Sequence, residues 1–299
     1  MTLRQPSARL LMCRAEHFAV TYAINPWMDP QSWAREDRTH AAASRREWLG
    51  LHRSLAKLGA AIELVPPAPG LPDLVFTANA AVVLDRTALL ARFRHPERQR
   101  EESHFEAAFR GLQARGIIDV VRRLPEGLVL EGAGDCVLDR ARNLFWMGFG
   151  PRSDADARPV IEELFGLEAV SLELADGRFY HLDTALSPLP RGEVMYYPGA
   201  FTATGRAAIH DRVAPNERIE IGIEDACRLT ANAVCLGNGL VMSDTSERLR
   251  AELEERGYRV VTVPLPSFLR SGGSAFCLTL RLDLRSPPVS ATAWQAAVA

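Results

Sequence analysis

The sequence predicts an α/β fold built from a repeated unit: two or three short strands, a helix, then another strand. Two observations predict it. Short apolar runs with strand character alternate with amphipathic helical stretches from about residue 9 to 283. The helices are also too sparse for a regular one-strand, one-helix barrel, and no Gly-rich phosphate loop opens a helix. Gly132-Ala-Gly134 lacks the third glycine and the following helix of a dinucleotide fingerprint.

In chain order, residues 32–58 read as a helix ending near Gly59, with Trp33, Trp48, Leu51 and Leu55 as its apolar positions. Strands are expected at 62–65, 80–84 and 88–92. Pro96 then precedes a helix through Gln113 that Gly116 stops. Strands near 117–121, 135–138 and 144–147 lead to a helix over 157–165. The pattern recurs at 167–174, 185–189 and 193–197, and again at 233–236, 240–242, 247–256 (a helix), 259–263 and 275–282. No internal linker divides the chain, so residues 9–285 are expected to form one catalytic domain. Residues 1–8 and 286–299, the latter with Pro287 and Pro288 and little pattern, are expected to be flexible ends.

Composition sets the class. Of 299 residues, 47% are hydrophobic and 24% charged, the balance of an ordinary globular protein, and the net charge of −2 gives no electrostatic reason to expect nucleic acid or an anionic membrane as partner. The first eleven residues have no apolar core of a signal peptide, and no stretch reaches the ~20 apolar residues that span a bilayer. The five cysteines, Cys13, Cys136, Cys227, Cys235 and Cys277, are odd in number and scattered. That pattern fits reduced thiols in a cytoplasm rather than a disulfide framework or a zinc cluster. The histidines likewise lack metal-ligand spacing, so no metal or organic cofactor is expected.

Four segments carry ionisable or amide groups where apolar strands begin or end: residues 72–79 (PDLVFTAN), 130–135 (LEGAGD), 179–184 (FYHLDT) and 272–279 (GGSAFCLT). Cys277 follows Gly272 and Gly273, which would allow a ligand close to the backbone; a small buried hydrophobe is the plainer reading. The other four cysteines have no such setting and read as core. His181 and Asp183 are two apart and on a strand would share a face, as a thiol's general base and its neighbour would; a surface pair gives the same pattern. Glu131 and Asp135 bracket a glycine turn, and an inward carboxylate there would match a planar guanidinium in bidentate fashion. Singly, none of these decides the chemistry.

Together the segments 24–28 (INPWM), 72–80 (PDLVFTANA), 131–135 (EGAGD), 179–184 (FYHLDT), 196–201 (YYPGAF) and 272–281 (GGSAFCLTLR) resemble the guanidino-group-modifying superfamily. It comprises arginine deiminases, dimethylarginine dimethylaminohydrolases and amidinotransferases. The match runs in order from about residue 12 to 283 and is nearest to the arginine dihydrolase group, found elsewhere as the N-terminal part of longer bacterial proteins. The resemblance implies a five-bladed α/β propeller, the pentein fold, with its active site in a central channel. It implies Cys277 as nucleophile, His181 as general acid and base, and Glu131 and Asp183 as the carboxylates that hold the guanidinium. Arg92 and Arg152 fall where relatives bind the substrate α-carboxylate, with Arg94, Arg98 and Arg100 as competitors of Arg92. Asn25 and Asp73 are further expected substrate contacts.

Two departures within the superfamily narrow the substrate. Asp183 follows the histidine as in arginine deiminases, whereas many dimethylarginine hydrolases carry a non-acidic residue there. Asn79 stands where deiminases usually have aspartate, and an amide that both donates and accepts can hold a neutral ureido group as well as a cation. The expected partner is therefore a small molecule, arginine or a methylated arginine, and a homo-oligomer is left open. The expected reaction is arginine dihydrolysis to ornithine, carbon dioxide and two ammonia. Release of citrulline, as by a deiminase or dimethylargininase, is the alternative. A catalytically silent propeller that only binds is the non-enzymatic one.

Overall fold

The computed structural model describes residues 8–286; the expectations for the two chain ends, save Ala8 and Ser286, lie outside the described residues. The described residues form five three-stranded sheets. The first holds β1 (Arg9–Cys13), β2 (Ala61–Val65) and the two-residue β15 (Leu280–Arg281); the second holds β3 (Ala81–Leu84), β4 (Thr87–Leu90) and β5 (Val120–Arg123). The third is β6 (Cys136–Asp139), β7 (Leu144–Phe149) and β8 (Glu168–Glu173), and the fourth β9 (Leu186–Pro188), β10 (Val194–Tyr196) and β11 (Arg218–Glu220). The fifth is β12 (Val234–Leu236), β13 (Gly239–Met242) and β14 (Arg259–Thr262).

Every sheet repeats one connectivity. A tight hairpin pairs the first strand antiparallel with the second, and a helical crossover returns the chain parallel to the second. In the first sheet the repeat is closed by the two ends of the chain: β15 pairs antiparallel with β1, and β1 pairs parallel with β2. This is the five-bladed α/β propeller. The hairpin between β3 and β4 turns on Asp85 and Arg86, at φ 49° and 62°, the positive values that a type I′ turn requires at both central positions.

The helices differ from expectation in their breaks. The stretch 32–58 is two helices, α1 (Pro30–Arg35) and α2 (Asp37–Lys57), with Glu36 between them at φ −133°. The helix after Pro96 is likewise split at Arg100 into α3 (Pro96–Gln99) and α4 (Glu101–Ala114). The next, α5 (Arg158–Phe165), lies where the sequence places it and ends on Gly166 in the left-handed conformation. The helices α6 (Ala203–Arg212) and α7 (Ile223–Cys227) carry no clear sequence signal. Only Gly205 and Ile209 of α6 are buried, so its sequence lacks an apolar stripe.

Candidate active site

The strands nearest the centre of the propeller are β3, β6, β9, β12 and β15, one edge strand from each sheet; each of these inner strands is preceded by a turn, and these turns hold the polar residues singled out above. Asn79 lies in the 3-10 turn Thr77–Ala80 before β3, and Glu131 and Asp135 flank the turn Gly132–Gly134 before β6. His181 and Asp183 sit at the turn Leu182–Thr184 before β9, Asn232 lies before β12, and Cys277 before β15. Strand periodicity therefore does not place His181 and Asp183. They leave a turn in different directions, His181 to Glu131 and Asp183 to Cys277. Cys277 likewise sits in a turn, and the alternation of leucines after it becomes strand only at Leu280–Arg281.

The turns are stitched to one another by buried hydrogen bonds. Ala78 N donates to the Cys277 carbonyl at 3.1 Å, Phe276 N to the Asn232 carbonyl at 3.2 Å, and Leu182 N to Asp135 Oδ1 at 3.0 Å. Gly134 is required by this packing: a Cβ there would collide with the Asn79 amide and come within 3.4 Å of His181 Nδ1. Gly272 and Gly273 were expected to admit a ligand, yet the space beside them is filled by Trp27, Tyr180 and Phe76. Their role is close packing of the loop that carries Cys277.

Two clusters result, every member at most 3% exposed. In the first, Cys277 Sγ lies 3.2 Å from Asp183 Oδ2 and accepts from Asn232 Nδ2 at 3.0 Å. Asn232 also accepts from Cys277 N at 3.1 Å and donates to the Asp183 carbonyl at 3.1 Å, which fixes its amide orientation. Burial pushes the Asp183 carboxyl up to about 7, against hydrogen bonds from Cys277 and Asn232 that pull it down. Burial and then the Asp183 charge raise the Cys277 thiol well above its usual range. Sulfur and carboxylate thus compete for one proton. Asp183 Oδ1 is buried and makes no hydrogen bond within the described residues.

In the second cluster His181 Nε2 lies 2.9 Å from Glu131 Oε2, and its Nδ1 lies 3.5 Å from Asn79 Nδ2. Glu131 also accepts from Arg94 N and Arg152 Nη1, both at 3.1 Å. Burial raises this carboxyl, but His181, Arg152 and Arg98 more than offset it, and it lies at about 2. An ionised Glu131 fixes the imidazole through Nε2 and leaves Nδ1 as the nitrogen that can exchange a proton. Asn79 is held from both sides: its Oδ1 accepts from Arg98 Nη1 at 2.9 Å, and its Nδ2 donates to the Glu131 carbonyl at 3.2 Å. Arg98 is in turn paired with buried Glu101 at 2.8 Å.

The remaining expected residues separate. Arg152 joins the site, stacked 4.6 Å above the Tyr180 ring and bonded to the Ile24 carbonyl, with its Nε lacking a partner among the described residues. Asp73 accepts from Tyr22 at 2.9 Å and faces Ser271 Oγ at 3.4 Å. Asn25 braces the same loop, donating to the Ser271 carbonyl at 3.1 Å. Arg92 does not reach the cluster: its guanidinium is committed to the carbonyls of Leu124 and Pro125, and Arg98 occupies the buried position instead. Asn232 was missed, though a signal was present. The tetrapeptide Thr77-Ala-Asn-Ala80 recurs as Thr230-Ala-Asn-Ala233, again just before an inner strand.

A five-bladed α/β propeller with a buried thiol, imidazole and carboxylates at the turns before its inner strands defines a pentein of the guanidino-group-modifying type. The chain belongs to the dimethylarginine dimethylaminohydrolase family: the model described as N,N dimethylarginine dimethylhydrolase, eukaryotic, matches residues 14–284. It is 43% identical to the bifunctional arginine dihydrolase/ornithine cyclodeaminase AgrE of Nostoc sp. over 92% of its length, and spans 38% of that protein. It is 36% identical to the N(G),N(G)-dimethylarginine dimethylaminohydrolase of Mycobacterium tuberculosis, covering 92% of this chain and 85% of that one. The substrate-bound N-terminal domain of ArgZ, a cyanobacterial arginine dihydrolase, superposes with a TM-score of 0.86 at 40% identity, over 93% of this chain and 99% of that one.

Proposed function

We propose that the protein is a cysteine-dependent arginine dihydrolase, converting arginine to ornithine, carbon dioxide and two ammonia. The observation that carries this reading is the buried Asp183 carboxylate beside the Cys277 thiol, with one oxygen that no group among the described residues engages. A guanidinium N–H supplies that missing donor, and its charge relieves the repulsion that keeps the thiol protonated. An unmethylated guanidinium offers donors on both outer nitrogens, which favours arginine over dimethylarginine at this carboxylate.

In the first round the Cys277 thiolate attacks the guanidinium carbon. His181 protonates the departing nitrogen through Nδ1, and ammonia leaves an S-alkylthiouronium. Water deprotonated by His181 then attacks, the carbon–sulfur bond breaks, and citrulline forms. Asn79 presents its amide beside His181 and holds the neutral ureido group for a second attack. Cys277 then expels ornithine, and hydrolysis of the carbamoyl thioester gives carbamate, which decomposes to carbon dioxide and ammonia. Arg152 and Asp73 are positioned to engage the amino-acid end of the substrate.

The family model and the M. tuberculosis relative favour a second reading, release of citrulline from arginine or dimethylarginine. Incubation with each substrate and mass-spectrometric identification of products separates the two. Ornithine from arginine is the expected result; citrulline as the sole end product overturns the dihydrolase reading, and no ammonia from either substrate overturns the enzyme.

A further inference from the structure

Asn79 presents one amide to the site, and the two ends of that amide are not interchangeable. Its Oδ1 accepts from Arg98 Nη1 at 2.9 Å. Its Nδ2 donates to the Glu131 carbonyl at 3.2 Å and lies 3.5 Å from His181 Nδ1, at the limit of a hydrogen bond. A turned-over amide would set its NH2 group against the Arg98 guanidinium and its oxygen against the Glu131 carbonyl, losing both bonds. Arg98 is itself held on every side. Its Nε and Nη2 donate to the two carboxylate oxygens of Glu101 at 3.0 and 2.8 Å, and Nη2 also donates to the Asp73 carbonyl at 3.2 Å. The guanidinium lies 4.4 Å from the centre of the Phe93 ring. Both members of the pair are buried, and among the described residues the Glu101 carboxylate takes hydrogen bonds from Arg98 alone. Replacing a buried ion pair by apolar side chains is often neutral for stability, so stability alone does not account for this one beside Asn79.

Resting on the dihydrolase reading, we propose that Glu101 is a positioning residue for the second round: through Arg98 it locks and polarises the Asn79 amide as the donor that retains citrulline. The two rounds make unequal demands. The guanidinium of arginine is a cation, which carboxylates such as Asp183 can hold without any donor. The ureido group of citrulline is neutral, and its oxygen needs an N–H, both to stay bound and to take up negative charge when the sulfur attacks. Asn79 Nδ2 offers that N–H only in the orientation that Arg98 enforces. A cationic donor on Oδ1 also strengthens the N–H at the other end, because hydrogen bonds in a chain polarise one another. The Glu101 charge has a second effect. It cancels that of Arg98, so the lock adds no net positive charge to a site that must first admit a cation.

Shortening Glu101 tests this. Glu101→Asp keeps the charge and withdraws the carboxylate by one methylene, so Arg98 is drawn away from Asn79 or left half-paired. With arginine as substrate, the ratio of released citrulline to ornithine is expected to rise about tenfold, while kcat/KM for arginine consumption stays within about threefold of wild type. Glu101 acts on the product only through Asn79. Added to Asn79→Ala, Glu101→Asp should therefore move the ratio no further than Asn79→Ala does alone. If Glu101→Asp fails to fold, the double variant Arg98→Met/Glu101→Met removes both charges together and should give the same rise in citrulline. A folded variant with the wild-type product ratio, or a shift that persists undiminished in the Asn79→Ala background, overturns the proposal and leaves the dihydrolase reading standing. Wild-type protein that makes no ornithine in the same assay removes the dihydrolase reading, and the role of Glu101 with it.

Discussion

At the level of single residues, the site stores unfavourable electrostatics that a bound guanidinium would relieve. Asp183 illustrates it. Its carboxyl, pushed up by burial to about 7 in the fold, returns to about 3.9 in the unfolded chain. Such a group holds more protons when folded, so its stabilising share is full below the unfolded value and is lost as pH rises through about 7. Asp183→Asn is therefore expected to be more stable than the parent at pH 8 by about 2 kcal/mol. The gain should shrink toward pH 4, followed by thermal unfolding across that range, while activity is lost. Asn232 makes the complementary case, since its amide N–H is aimed at the sulfur at 3.0 Å. Asn232→Ala should lower kcat by about 10²-fold. It should also shift the pH-dependence of thiol alkylation upward, as the thiolate loses a donor, with arginine affinity retained; an unshifted alkylation profile would show that Asn232 only fills space. Asn79→Asp places a second acceptor against the Glu131 carbonyl that Asn79 Nδ2 now satisfies at 3.2 Å. It should shift the products from ornithine toward citrulline, read by mass spectrometry.

At the level of elements, the turns rather than the strands set the chemistry, which explains what the sequence could disclose. The segments around Asn79, Glu131, His181 and Cys277 stood out because small residues surround a polar one, and the structure gives each a 3-10 or irregular turn before an inner strand. The apolar runs marked most of the strands, since a strand buried on both faces reads as a plain hydrophobic run, but β11, with one buried residue of three, carried no such run, and the run over 275–282 became strand only at Leu280–Arg281. Direction within a turn was not legible. A period-two argument put His181 and Asp183 on one face, whereas turn geometry sends them to different partners. Nor could sequence tell Arg92 from Arg98, because the choice depends on the pairing of Arg98 with Glu101 one helical turn later. Gly134 tests the role of the turns. Gly134→Ala forces its methyl into the Asn79 amide, and overpacking of this kind costs about 1–3 kcal/mol. More than tenfold lower activity should accompany that loss. Gly222, with φ −76° and open space where a Cβ would project, is the matched position; Gly222→Ala should leave activity unchanged and cost only the weaker N-cap of α7, about 1 kcal/mol or less.

At the scale of the whole molecule, the propeller closes where β15 pairs with β1, and Cys277 rides on the closing segment. Three residues separate Cys277 from Arg281 in the two-residue strand that pairs with β1, so the seam that seals the ring also fixes the thiol. Backbone pairing there is short. Leu282 N donates to the Arg9 carbonyl at 2.9 Å, and Arg9 N donates to Asp283 Oδ1 at 3.0 Å. Asp283 also takes two bonds from Arg281, each at 2.8 Å, while Arg281 reaches across to the Cys235 carbonyl of the neighbouring sheet at 3.0 Å. Burial raises the Asp283 carboxyl, but the Arg281 contacts and the Arg9 amide outweigh it, and the group is held below its usual value. A depressed carboxyl gives stability that is present above its unfolded value of about 3.9 and lost as pH falls through the lower, folded value. Asp283→Asn should therefore lower stability by about 1–2 kcal/mol at pH 7 and by less as the pH drops below about 4, measured by urea unfolding at each pH. Because the turn that carries Cys277 leads directly into this strand, the variant should also lose activity at temperatures well below its unfolding midpoint, as the thiol drifts from Asn232 and Asp183. Activity that survives until global unfolding would mean that the turn contacts at Ala78 and Asn232 hold Cys277 in place without the seam.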